Sequence, residues 1–262
     1  MKVSLVYCTA RHGGLDILDR SVEDQTHTLH EVIVVDELRR KEVVEHKLGF
    51  RYVEPPAKKP EMFWNLSASL NAACKAATGD LIVLLQDYIY VPPFGIERYV
   101  KRFEQEPKSI ITGIGHQYAL PGHIDDRLGG YSIWNWWPGV PRGQKTFIDP
   151  RAEKNGFYLT IPVEWEANWG AFPRQAWLDV GGFDEGFDAG WGYDNVNFAE
   201  RCQMADYHIW LDTENEVLCY DHIRIFGEQK RRAEAPNNQR LWASRYSELS
   251  QRIMHWKLGY AE

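Results

Sequence analysis

Three near-continuous apolar runs, Val3-Ser4-Leu5-Val6-Tyr7, Val32-Ile33-Val34-Val35 and Leu81-Ile82-Val83-Leu84-Leu85, limit what this chain can become. A strand without polar alternation has no face to offer water and belongs in a parallel sheet covered on both sides. Helical spacing fills the intervals: Leu15–Gln25 follows the first run, Arg39–Lys47 the second, and Asn65–Ala77 leads into the third. That last helix closes at Thr78-Gly79, with glycine just past its end as helix stops prefer. With a short strand at Phe50–Val53, the rhythm predicts an α/β fold with a mostly parallel central sheet flanked by helices. The second and third runs end in carboxylates, Asp36 and Asp87, and ligands of open α/β sheets sit beyond the carboxyl ends of the strands.

Further along, Phe94–Gln105 reads as a helix and Ser109–Gly113 as a strand. Residues 115–158 then show no sustained period and are rich in Gly, Pro, His and Trp. Three Trp within Trp134-Asn135-Trp136-Trp137 cannot all face one core on a regular element, so this long Trp-rich loop is expected to wall or cover a site. The alternative is a local hydrophobic plug. Order returns with a strand at Thr160–Glu164, helices at Arg174–Val180 and Asp194–Met204, and strands at Tyr207–Leu211 and Glu216–His222. An amphipathic C-terminal helix is expected from Asn238 to Trp256. No repeat, low-complexity tract or linker interrupts residues 1–262, which predicts a single domain.

A net charge of −7 argues against a protein that binds nucleic acid through its phosphates. The basic tracts Arg39-Arg40-Lys41 and Lys58-Lys59 read as solvated surface. Cys8, Cys74, Cys202 and Cys219 lack metal or scaffold spacing and are expected to be buried free thiols in a reducing compartment. The opening residues read as a first strand rather than a signal peptide, and no run is long enough to cross a bilayer, so the expectation is cytoplasmic. Thirteen per cent aromatic residues, with 11 Trp, suit carbohydrate faces and nucleobases as well as a core.

Three motifs carry a resemblance to a known family. The first is Val3-Ser4-Leu5-Val6-Tyr7-Cys8-Thr9-Ala10-Arg11, followed by Ser21-Val22-Glu23-Asp24-Gln25 and by Val32-Ile33-Val34-Val35-Asp36-Glu37. The second runs from Asn65 through Asn71 to the acidic strand end Leu85-Gln86-Asp87-Tyr88. The third is Trp169-Gly170-Ala171-Phe172-Pro173-Arg174, then Gly181-Gly182-Phe183-Asp184-Glu185, then Trp191-Gly192-Tyr193-Asp194-Asn195-Val196-Asn197 with Arg201. Together they resemble glycosyltransferases of the GT-A fold, family 2 type. The third motif is also similar to galactosyltransferase and polypeptide GalNAc-transferase catalytic regions.

The resemblance implies an enzyme that moves a sugar from a UDP- or GDP-linked donor to the hydroxyl of a glycan or other acceptor. It divides the chain into a nucleotide-sugar half, 1–113, an acceptor and catalytic half, 114–222, and an extension, 223–262. Thr9, Ala10, Arg11, Asp36, Asn71, Gln86 and Asp87 would hold the donor, and Trp134, Trp169, Trp191 and Asn195 the acceptor. Asp194 matches the first acid of the family's acidic pair and Asn195 the second. With Asp194 as general base the reaction inverts; without a base it resembles the retaining relatives. Glu164 and Glu166 are reserve bases. A divalent Mn²⁺ or Mg²⁺ would fall to Asp87 and His222, although Tyr88 replaces the usual acidic ligand and is a poor one. Without a metal, Arg224, Lys230 or Arg231 would neutralise the diphosphate. The departures at Gln86-Asp87-Tyr88 and Asn195 keep open a catalytically silent nucleotide- or sugar-binding protein. A nucleotidyltransferase ranks lower for want of a Gly-rich, Lys-bearing loop. A modified nucleic-acid base as acceptor would depend on a groove at Lys230-Arg231-Arg232.

Overall fold

The computed structural model describes residues 1–11, 13–59, 62, 64–118, 145–190, 192–220 and 237–244. Among the described residues, ten strands form one mixed sheet. In chain order they are β1 (Val3–Thr9), β2 (Glu31–Asp36), β3 (Arg51–Val53), β4 (Leu81–Gln86), β5 (Ile89–Tyr90), β6 (Ser109–Tyr118), β7 (Lys145–Phe147), β8 (Phe157–Leu159), β9 (Trp169–Pro173) and β10 (His208–Tyr220). The sheet order is β3-β2-β1-β4-β9-β6-β10-β5, with β7 on β6 and β8 on β10. The helices that pack on it include α1 (Leu15–Glu23), α2 (Leu66–Ala76), α3 (Gly95–Gln105), α4 (Arg174–Val180) and α5 (Asp194–Met204).

The apolar runs do what their composition requires. Successive side chains on a strand point to opposite faces. Leu81, Val83 and Leu85 of β4 therefore join one core with Leu15 and Leu18 of α1 and Tyr99 and Phe103 of α3. Ile82 and Leu84 join the other, with Leu70 and Cys74 of α2, Ala176 of α4 and Phe198 of α5. The four cysteines are free; Cys8, Cys74 and Cys202 are buried and Cys219 is half-buried. Because β1, β2 and β4 run parallel, Thr9, Asp36 and Gln86 all arrive at one edge of the sheet, with Asp87 one residue beyond.

The half from β3 to β4 is parallel throughout, as expected, and β6 pairs with β10 in parallel. Antiparallel β9 stands between them and makes the sheet mixed. Three expectations are corrected in the second half. The strand at Ser109–Gly113 continues to Tyr118. The strand near residue 160 lies at Phe157–Leu159, because Pro162, which lacks an N–H, opens a 3₁₀ turn at Pro162–Glu164. The two late strands are one, β10, with an irregularity in its pairing between Leu211 and Glu216. The helical stretch after β2 narrows to a short element that ends in a π turn at Val43–Lys47. Of the expected C-terminal helix, residues 237–244 are described and helical. Trp134, Trp191, His222, Arg224, Lys230 and Arg231 lie outside the described residues.

Trp169 ties the two halves together. Its ring, 2% exposed, lies 4.7 Å from that of Tyr99, and its indole N–H donates to the Asn215 carbonyl at 3.2 Å. The Tyr99 hydroxyl donates to the Trp169 carbonyl at 2.8 Å and accepts from the Gly113 N–H at 2.9 Å. Tyr99→Phe leaves that buried N–H without its partner, and the expected loss is about 1–3 kcal/mol of stability. Urea unfolding of both proteins measures it; an unchanged midpoint would sink the account.

Candidate functional site

The edge where β1 and β4 end is a buried polar knot. Thr9 Oγ1 donates to Asp87 Oδ2 at 2.9 Å and accepts from the Arg11 N–H at 3.1 Å. The other Asp87 oxygen receives the Arg11 guanidinium, and the Asp87 side chain is only 1% exposed. Arg11 also lies over the rings of Trp64 and Tyr88, at 5.8 and 6.0 Å. Beside this knot stands a second one. Asp36 accepts on Oδ1 from the Leu38 N–H and Arg40 Nη2, and on Oδ2 from the Arg40 N–H and Nε, at 2.7–3.2 Å. Arg40 Nη2 reaches on to the Arg11 carbonyl at 2.9 Å, which joins the two.

A second group of residues gathers around the start of α5. Asp188, in the 3₁₀ turn Glu185–Ala189, accepts from the Ser67 and Ala68 N–H groups at 2.7 and 3.0 Å and so caps α2. Burial first, and then the charge of Asp194, push its carboxyl up to about 6. Tyr193 adopts a left-handed conformation, φ 68°, immediately before α5 begins at Asp194. Burial raises the Asp194 carboxyl above its ordinary value, against the opposing pull of the N–H groups of Asp194 and Asn195. The Asn195 amide donates to the Trp165 carbonyl at 2.8 Å and ties α5 to the segment that carries Glu164 and Glu166.

That segment borders a cleft of about 190 Å³ lined by Gln117, Asp149, Arg151, Glu166 and Asn168 among others. Arg151 grips Asp149, donates to the Glu164 carbonyl at 2.7 Å and stands 3.2 Å from Glu166 Oε1. Burial raises the Glu166 carboxyl, while Arg151 pulls it down. Glu164 itself accepts from the Thr160 hydroxyl.

Residues 237–244 dock on the loop before α5. Asn238, 2% exposed, donates to the carbonyls of Phe187 and Gly192 at 2.9 and 2.8 Å. The Trp242 ring lies 5.6 Å from that of Tyr193, and its N–H donates to Glu200 Oε2 at 2.8 Å.

The sequence profile of glycosyl transferase family 2 matches residues 15–153, just over half of the chain. The chain belongs to that family. No curated protein matches it in sequence. Among solved structures, that of GalNAc-T7 with UDP, GalNAc and Mn²⁺ superposes with a TM-score of 0.61 at 14% identity, over 86% of this chain and 44% of that one. Staphylococcus aureus TarS residues 1–349 superpose with a TM-score of 0.56 at 13% identity, over 84% of this chain and 60% of that one. The same TarS fragment with UDP gives 0.57. At such identities the likeness is one of fold, the GT-A architecture, and this family 2 chain spans less than two thirds of either relative's length. Among the described residues no helix is long and apolar enough to cross a membrane.

The family frame sharpens where the expected residues stand. Thr9, Arg11 and Asp87 converge, with Ala10 and Gln86 at their backbone positions beside them. Three expectations are corrected. Asp36 is fully buried and both its oxygens carry two donors, so it has no acceptor position left for a base or ribose. Asn71 reaches the Gly-Gly-Phe turn instead of the strand ends: it donates to the Phe183 carbonyl and accepts from the Phe183 N–H and the Trp177 indole. Trp169 is a core residue, 2% exposed, and meets the cleft beside Arg151 and Glu166 as part of its wall. Sequence reasoning missed Asp188, Arg151 and Arg40. Asp188 was signalled by the acid run Asp184-Glu185-Gly186-Phe187-Asp188, and Arg40 by its spacing of four from Asp36.

A divalent metal does not fit the described residues. Asp87, the one acid of its motif, already holds a guanidinium and a hydroxyl proton. Tyr88 points into an apolar cluster with Ile17, Tyr90 and Leu218. Among the described residues no three His, Cys, Asp or Glu gather in a metal-holding group.

Glu200, fully buried, is pushed up to about 7 from an ordinary 4.5 by burial, against the Trp242 hydrogen bond. The folded state then holds a proton that the unfolded chain has lost. The associated stability is complete below about pH 4.5 and is lost as pH rises through about 7. Glu200→Gln removes this ionisation while it keeps an acceptor for Trp242. The variant should match the natural protein in urea at mildly acidic pH and exceed it above neutrality; a lower midpoint there would contradict the assignment.

Proposed function

We propose that this family 2 chain transfers a sugar from a nucleoside-diphosphate donor to an acceptor hydroxyl with inversion, and that Asp194 is the general base. The observation that carries the reading is the carboxyl of Asp194. It opens α5, it is raised by burial, and Asn195 beside it anchors that helix end to the Trp165 carbonyl. A base works best when its affinity for the proton approaches the working pH. In the step itself, the acceptor oxygen attacks the anomeric carbon as Asp194 takes its proton. The carbon–oxygen bond to the diphosphate breaks, and the nucleoside diphosphate departs with that electron pair. The chain lowers the barrier by holding the hydroxyl in line and stabilising the departing charge.

Arg11 and Thr9 are the donor-side residues that the geometry favours, and the cleft beside Arg151 and Glu166 offers charged and amide groups suited to sugar hydroxyls. A UDP-linked donor is favoured because TarS of the same fold has been captured with UDP. Glu166 is the reserve base, also raised but opposed by Arg151. Asp194→Asn is expected to lower kcat by about 10²–10⁴ and to leave nucleotide affinity as it was. Steady-state turnover and calorimetry on the same preparation test this. Undiminished turnover would remove Asp194 as base, and nucleotide binding without turnover in the natural protein would favour the silent binding role.

A further inference from the structure

The misfit with a divalent cation points to what replaces it. A hard cation needs several oxygen ligands, carboxylates above all. Asp87 is the only carboxylate that the acidic strand end supplies, and the cation already on it is Arg11. For a metal to enter, the guanidinium would have to leave a buried carboxylate and remain close by, unpaired, against a second positive charge. Tyr88 cannot help. Its backbone is left-handed, φ 62°, its ring is 2% exposed, and its hydroxyl lies so close under Gly13 that a Cβ there would sit 2.5 Å from it.

Arg11 is also built to receive an anion. Its own N–H is fixed by Thr9, its carbonyl by Arg40, and its guanidinium by Asp87 and the Trp64 and Tyr88 rings. Its side chain is still 14% exposed. The open part of a planar, preorganised fork suits phosphate oxygens. The adjoining helix α1 starts at Leu15 without a side-chain cap, so its positive end adds to the same field.

We infer that Arg11, braced on Asp87, takes the diphosphate charge that a divalent cation takes elsewhere, so that this chain binds its nucleoside diphosphate without metal. The inference rests on the donor-site reading above and names the group that does its electrostatic work. Lys230, Arg231 and Arg224, expected in that role from the sequence, lie outside the described residues.

The test is titration calorimetry of the full chain with UDP, GDP and CDP, in EDTA and again with excess Mn²⁺. The nucleotide that binds should show the same affinity in both within about twofold, and Arg11→Gln should weaken it about tenfold or more in both. Arg11→Lys should restore part of the loss, and inorganic pyrophosphate should compete with the nucleotide on the natural protein in EDTA. Because Arg11→Gln leaves a buried carboxylate unpaired, the double variant Arg11→Gln/Asp87→Asn, with its unfolding midpoint checked, separates lost binding from lost fold. Nucleotide binding that appears only with Mn²⁺, or survives Arg11→Gln in EDTA, overturns the inference and leaves the glycosyltransferase reading standing. Failure of all three nucleotides in both conditions overturns the donor site as well.

Discussion

The site depends on β4 being fastened to β1 on one side and to β9 on the other. The first pairing is parallel and the second antiparallel. Cys8 therefore stands opposite Gln86, while Leu85 stands opposite Trp169, so the end of β1 and the approach to β9 meet at one edge. Thr9 and Asp87 come from the parallel half; Asn168 comes from the antiparallel half and accepts the Gln86 N–H through its carbonyl at 3.1 Å. A slip of one residue in either pairing would turn Leu81, Val83 and Leu85 into the opposite core. The burial of both faces holds the register and, with it, the alignment of the two halves.

The buried and half-buried carboxylates include two kinds. Asp36, Asp87 and Asp149 are each closed by an arginine, namely Arg40, Arg11 and Arg151. Asp188, Asp194 and Glu200 have no arginine among the causes that shift them, and burial drives all three toward the protonated form. A buried charge must be paired or neutralised, and the chain uses one solution at the strand ends and the other around α5.

What the sequence made legible is the part governed by local pattern. β2, α4 and α5 stand where periodicity puts them, because an unbroken apolar run or a helical stripe has few alternative uses. β9 escaped notice because Trp169-Gly170-Ala171-Phe172-Pro173 has two small residues and a proline, and acquires its strand character from the partners on either side. Trp169 read as a binding residue for the same reason: composition says that an indole wants an apolar neighbour, but not whether that neighbour is a sugar or Tyr99. Asp36 is subtler. Its place at a strand end is correct, yet Arg40, across the turn that follows the strand, closes it, and such a pairing depends on side-chain direction that spacing alone does not fix. The reverse holds for Arg11, whose partner Asp87 lies 76 residues away and was brought to it by the sheet.

Gly182 and Gly190 show how far this half of the chain relies on such long-range partners. They stand where two asparagine amides press against the chain. A Cβ at Gly182 would meet Asn71 Oδ1 at 2.6 Å, and one at Gly190 would meet Asn238 Oδ1 at 2.4 Å. Asn71 comes from α2, and Asn238 from the segment 237–244. The loop between the two glycines is thus gripped from both ends, and at its middle Asp188 caps α2. Each grip includes backbone carbonyls or N–H groups of the loop, which fixes the path of the chain. The loop emerges at Tyr193 in a left-handed conformation with Asp194 next, so the position of that carboxyl is set by three elements distant in sequence. The segment 237–244, which matched no family motif, holds the loop that leads into Asp194.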